Sequence, residues 1–181
     1  MCLNERFQRP GIYEVQFGTS LRYVCEELGG GVRDGHQLRG LQVGGPLGAF
    51  VAPDQLDLEI GFESMDKAGA ALGHGGLVAI DERLSADELL CHTWRFAASE
   101  SCGTCVPCRV GTKRGLELAE NARGRATHAT ERQHRQALLD AMRYGSMCGF
   151  GRSVPTAVQS ILRIWGQELD DDVPPRAGLP R

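Results

Sequence analysis

Glu100-Ser101-Cys102-Gly103-Thr104-Cys105-Val106-Pro107-Cys108-Arg109-Val110-Gly111 sets three thiols two residues apart from one another, between two segments of helical period. An iron–sulfur cubane has four irons, each needing one external thiolate, and a short loop can supply three of them from neighbouring positions. Gly103 and Pro107 suit such a loop because both resist regular helix. The fourth donor must come from elsewhere. Cys148 qualifies, lying in the glycine-rich turn Gly145-Ser146-Met147-Cys148-Gly149-Phe150-Gly151. Zinc is the rival metal, but it favours two paired knuckles of the CxxC type, and an overlapping triple with one distant cysteine fits a cubane better. Cys2, Cys25 and Cys91 have no ligand spacing around them and read as small buried hydrophobes.

The segments around these cysteines read as helices. Ser85-Ala86-Asp87-Glu88 matches a capping box, and Leu89, Leu90, Thr93, Phe96 and Ala97 follow at helical spacing. Further helices are expected over about 109–121 and 131–143. A last one carries Pro155 in its first turn, Ser153 as its cap, and Val158, Ile161, Leu162 and Trp165 on one face. Cys108 and Cys148 then each stand close to a helix N-terminus, whose partial positive charge favours an anionic group. Arg109 follows a ligand directly and is the expected tuner of the cluster's potential. Lys113 and Arg114 read equally well as a solvated face.

Upstream, the pattern is different. Residues 10–62 read as a small β-rich module, with strand-like stretches at Ile12 to Phe17, Leu41 to Val43 and Gly48 to Val51. A short helix through Leu21, Val24 and Leu28 should stop at Gly29-Gly30-Gly31. Residues 63–83 read as a connecting helix and strand. From residue 169 onward, acidic residues and prolines suggest a disordered tail. The expected fold class is therefore α+β, a β-module followed by an α-helical bundle over 84–168.

Bulk properties narrow the function. A net charge of −3 in 181 residues offers no basic surface for nucleic acid. No run approaches the roughly 20 apolar residues of a membrane span, and the N-terminus has no signal-peptide pattern. A cytoplasmic location follows as the expectation, where seven cysteines point to metal or redox chemistry rather than a disulfide framework. His92, His128 and His134 are isolated, and no acid, base or nucleophile constellation appears, so no catalytic residue is assigned.

The quoted motif resembles that of the complex I flavoprotein subunit, together with the diaphorase subunits of NAD-reducing hydrogenases and the β subunits of NAD-dependent formate dehydrogenases. The family pattern is close to ESCGxCxPCRxG with a fourth cysteine about forty residues on, where Cys148 stands. Gly45-Pro46, Gly75-Gly76 and the last amphipathic helix also match. Ala71-Leu72-Gly73-His74-Gly75-Gly76 and Tyr144-Gly145-Ser146-Met147-Cys148 are most similar to the formate dehydrogenase branch. The resemblance covers roughly residues 10–168. It implies a ubiquitin-like β-grasp (SLBB) module at 10–62 and a helical [4Fe–4S] domain at 84–168, with Cys102, Cys105, Cys108 and Cys148 as ligands.

The implied role is relaying electrons from a flavin to further iron–sulfur clusters within an NAD(H)-linked oxidoreductase, of the NADH dehydrogenase (quinone) or formate dehydrogenase type. The family's FMN- and NADH-binding half is not found in these residues. Gly73-His74-Gly75-Gly76 lacks the strand, glycine loop and helix order of a dinucleotide site. FMN and NAD(H) are therefore expected on a partner chain or domain. The other implied partners are a thioredoxin-like [2Fe–2S] subunit and a large iron–sulfur subunit, without nucleic acid or membrane insertion, the whole peripheral on the cytoplasmic face of a membrane complex. In the alternative, the chain is a non-redox docking module or gene fragment with a structural zinc.

Overall fold

The computed structural model describes residues 1–170. They form two compact units, Met1–Leu84 and the part from Ser85 onward.

The first unit is built on one five-stranded mixed sheet of β1 (Cys2–Leu3), β2 (Gly11–Ile12), β3 (Leu38–Val43), β4 (Ala49–Val51) and β5 (Gly76–Asp81). The spatial order is β2-β1-β5-β3-β4. β5 is central, parallel to β1 and antiparallel to β3, with Leu41 opposite Ala79 and Val43 opposite Leu77. Phe7, Leu21, Leu41, Val43, Met65 and Leu77 are fully buried and make the core of this unit.

This corrects two boundaries. The module takes in Cys2–Leu3, upstream of residue 10, and it includes the strand Gly76–Asp81, which the sequence presents as a connector. Both errors have one cause. β1 is two residues long and has no alternation of its own, so only its pairing with β5 makes it a strand. The expected strand at Ile12 to Phe17 shrinks to Gly11–Ile12, and Phe17 is exposed, its ring tilted at 47° to that of Phe62 with centroids 5.6 Å apart. The helix through Val24 forms with a π-type closure, Gly29 N–H bonding Val24 O at 2.8 Å. Its first turn is capped by Ser20, whose hydroxyl accepts from Tyr23 N–H at 3.2 Å. The connecting helix, α1, is Phe62–Lys67.

The glycine loop at residues 73–76 has a structural purpose. Gly44 (φ +95) and Gly73 (φ +52) interlock so closely that a Cβ on Gly73 would stand 2.0 Å from Gly44 O. Only glycine permits this backbone-on-backbone contact. His74 lies exposed on that turn. At the end of β5 the buried Asp81 carboxylate accepts from Arg6 Nη1 at 2.7 Å and Arg83 Nη2 at 2.6 Å.

The second unit is a ring of four helices: α2 (Ala86–Glu100), α3 (Val106–Ala122), α4 (Ala129–Gly145) and α5 (Gly149–Asp170). Each helix packs against the next in chain order, and α5 closes the ring by packing back on α2. Trp94, Leu139, Met142, Val158 and Ile161 fill its centre. The capping box at the start of α2 forms, with Glu88 N–H on Ser85 Oγ and Ser85 N–H on Glu88 Oε2 at 3.2 Å.

Two helices start earlier than their sequence suggests. α3 begins at Val106, so Cys108 lies in its first turn. α5 begins at Gly149, not beyond Ser153, and Pro155 sits inside it. Ser153 is not a cap; its hydroxyl donates back to Gly149 O at 2.7 Å. The tail assignment also moves. Leu169 and Asp170 are helical, and Leu169 O accepts from both Thr127 N–H at 3.2 Å and Thr127 Oγ1 at 3.1 Å. The remainder of the expected tail, 171–181, lies outside the described residues.

Candidate metal centre

Cys102, Cys105 and Cys108 occupy the α2–α3 turn and the first turn of α3, while Cys148 immediately precedes α5. Gly103 takes φ +75, which turns the chain between Cys102 and Cys105. Pro107 fits the first turn of α3, where its missing N–H costs no helical bond.

The two cysteine-bearing turns meet. Cys105 accepts a hydrogen bond from Met147 N–H, next to Cys148. Pro107 Cγ stands 3.0 Å from the place where a Gly145 Cβ would be, and Cys108 Cβ stands 3.0 Å from that of Gly151. The charges of Cys105, Cys148 and Cys102 all reach Cys108. The fourth cysteine of the sequence reading is thus brought beside the triple by helix packing, about forty residues away along the chain.

The four thiols differ in setting. Cys102 and Cys148 are exposed, Cys105 is half-buried and Cys108 is buried. Thr104, through its hydroxyl and then its N–H, lowers the Cys102 pKa. The N–H groups of Met147 and Cys108 lower that of Cys105. Burial raises the Cys108 pKa, opposed by a 3.3 Å contact with Ser101 Oγ. Two thiols are thus poised toward the thiolate that binds metal. Burial opposes the charged form of the third.

Among the described residues, no three His, Cys, Asp or Glu side chains converge on one point as a mononuclear site requires. A cubane does not require that, since each thiolate takes a different iron. The donor set fits such a group: four sulfurs on two adjoining turns, backbone N–H groups aimed at sulfur, and two helix N-termini alongside.

Arg109 is exposed, and its Cδ stands 3.7 Å from a Gly103 Cβ position, so its side chain lies along the cysteine loop. Arg114 instead pairs with Glu117, and Lys113 is exposed. Of the other cysteines, Cys25 is buried with its thiol pushed up to about 12, and burial also raises Cys91. Cys2 is exposed on β1, contrary to the reading of a buried hydrophobe. β1 is short and that side chain faces away from the core. His92, His128 and His134 are all exposed.

Sequence reasoning missed the supporting residues: Ser101, Thr104, Ser146 and Gly151. Their only signal was proximity to a cysteine, and only the meeting of the two turns gives them partners.

Residues 88–172 match the model of the NADH-ubiquinone oxidoreductase-F iron-sulfur binding region. The chain is 32% identical over 173 residues to the NADP-reducing hydrogenase subunit HndC of Solidesulfovibrio fructosivorans, covering 95% of this chain and 35% of that one. It is 38% identical over 130 residues to an NADH-quinone oxidoreductase subunit of Escherichia coli (strain K12), covering 68% of this chain and 29% of that one. The crystal structure of an NAD+-reducing [NiFe]-hydrogenase in the H2-reduced state superposes with a TM-score of 0.80 at 31% identity, over 97% of this chain and 29% of that chain. The chain thus spans about a third of the length of the curated relatives it matches. Among the described residues, no helix is long and apolar enough to cross a membrane.

Proposed function

We propose that this chain is the electron-relaying part of an NAD(H)-linked oxidoreductase, because residues 88–172 match the model of the NADH-ubiquinone oxidoreductase-F iron-sulfur binding region. Cys102, Cys105, Cys108 and Cys148 hold its single [4Fe–4S] cluster. The meeting of the two cysteine turns, Met147 N–H on Cys105 and Gly151 against Cys108, carries this reading. When bound, such a cluster supplies reversible one-electron transfer at a potential set by nearby charge, hydrogen bonds to sulfur and burial.

The chain's own residues provide those settings. The N–H groups of Met147 and Thr104 donate to sulfur, Ser101 touches Cys108, and Arg109 brings a positive charge along the loop. The match to a [4Fe–4S]-binding family displaces the zinc alternative.

In this reading the electrons come from a flavin held, with NAD(H), on another chain or domain, and go on to the clusters of further iron–sulfur subunits. Val106, Val110, Tyr144 and Met147 are exposed apolar residues on the cysteine-bearing turns and helix ends, which supports a partner covering them. The first unit is read as an SLBB-type β-grasp. The sheet order β2-β1-β5-β3-β4, with β1 and β5 parallel neighbours and a helical segment between β2 and β3, supports that.

Anaerobic reconstitution of wild type and single Cys→Ser chains tests the ligands. Loss of any one of Cys102, Cys105, Cys108 or Cys148 should sharply lower iron and sulfide content. Full iron retention in Cys148→Ser would remove it as the fourth ligand. The isolated chain, given FMN and NADH, should reduce no artificial acceptor; turnover free of contaminating flavoprotein would place a nucleotide site on it.

A further inference from the structure

Buried polar groups in folded proteins nearly always find a hydrogen-bond partner, and an exception asks for a reason. Ser146 is 1% exposed, and its hydroxyl has no partner. Its backbone is held in place. Its N–H donates to Met142 O at 3.1 Å, and its carbonyl accepts from Arg152 Nε at 2.9 Å. These two bonds clamp it between the end of α4 and the start of α5.

The hydroxyl is aimed at the cysteine site. Ser146 Oγ lies 2.5 Å, and Cys108 Cβ 3.0 Å, from the same point, the place of a Cβ on Gly151. Cys148 is two residues on. Ser101, the other serine of this site, already has Cys108 Sγ at 3.3 Å. The Ser146 hydroxyl is the one buried here with no partner at all.

We propose that the Ser146 hydroxyl donates its hydrogen bond to a sulfur of the bound [4Fe–4S] cluster, sulfide or thiolate, and so raises the cluster's reduction potential. The proposal rests on the reading of the four cysteines as ligands. Sulfur becomes a better acceptor as the anionic cluster gains an electron, so a fixed donor stabilises the reduced form more than the oxidised one. Ser146 is thus a positioning and tuning residue, not a ligand.

The test uses the full chain, reconstituted anaerobically, as wild type and Ser146→Ala. Iron and sulfide content should be equal in the two. An EPR-monitored redox titration should find the variant harder to reduce, by up to about tenfold in the equilibrium ratio, equivalent to 59 mV for one electron. A second readout compares the same two proteins: after exchange into deuterated water, the reduced wild-type cluster should show one more strongly coupled exchangeable deuteron by pulsed EPR than Ser146→Ala does. Equal potentials at full cluster content overturn the role of Ser146 and leave the cysteine assignment standing. So does the same set of strongly coupled deuterons in the two proteins. A wild type that takes up no iron overturns both readings together.

Discussion

Gly151→Ala touches no sulfur, yet it should damage the site. The added Cβ would stand 2.5 Å from Ser146 Oγ, 2.7 Å from Ser146 Cβ and 3.0 Å from Cys108 Cβ, where ordinary contact is 3.4–4 Å. None of the three can give easily. Ser146 is clamped through Met142 and Arg152, and Cys108 belongs to the first turn of α3. Relief requires the start of α5 to move away from α3. Alanine regains at most about 1 kcal/mol of helix propensity over glycine, whereas overpacking a tight interior costs about 1–3 kcal/mol. We therefore expect a net loss of about 1–2 kcal/mol, and a fall in Tm of about 2–4 °C for each kcal/mol in a chain of this size. The displacement opens between the turns of Cys108 and Cys148, so iron content should fall severalfold as well. Gly149→Ala is the control, because nothing lies within 4 Å of its added Cβ. Thermal melts and iron and sulfide analysis of both variants decide the matter. Wild-type iron and Tm in Gly151→Ala, or equal damage in Gly149→Ala, would refute the packing argument.

Three further outcomes are expected. Arg109→Gln should assemble the cluster but lower its potential by about tens of millivolts on the scale of 59 mV per tenfold shift, read by redox titration, because a positive charge beside the loop favours the reduced form. Asp81→Asn should destabilise the first unit by about 2 kcal/mol in denaturant titration: the carboxyl pKa is held down to about 2, first by Arg83 and further by Arg6, both partly exposed. Since that pKa is depressed on folding, its contribution is full above the unfolded carboxyl range near pH 4 and is lost as pH falls toward 2, a loss Asp81→Asn should not show. Gly115→Ala should lower stability more than Gly111→Ala, because its Cβ meets the rigid, buried Trp94 ring at 2.4 Å, whereas that of Gly111 meets the flexible Met142 side chain at 2.6 Å.

Spacing within a few residues was legible without a structure. The cysteine triple, the Ser85 capping box and the helical period of the second unit are local patterns, because a helix closes its bonds four residues away and a loop ligand set is read at intervals of three. What depended on distant partners was not. β1 is a strand only because β5 lies beside it, and β5 is central only because β1 and β3 flank it. α5 runs back to Gly149 and onward to Leu169, the latter held at its end by Thr127 from 42 residues earlier. Single cysteines showed the same limit: Cys25 and Cys2 have equally bland surroundings in the chain, but one is buried and the other exposed. The sequence by itself determined which residue types could hold an iron–sulfur group and the helices that bear them. Tertiary structure alone decided that Cys148 stands beside the triple, that Gly151 must stay bare against Cys108, and that the Ser146 hydroxyl is sealed in without a partner. Those facts are contacts of the α4–α5 turn and the start of α5 with the start of α3, and contact across a helix bundle leaves no period in the chain that makes it.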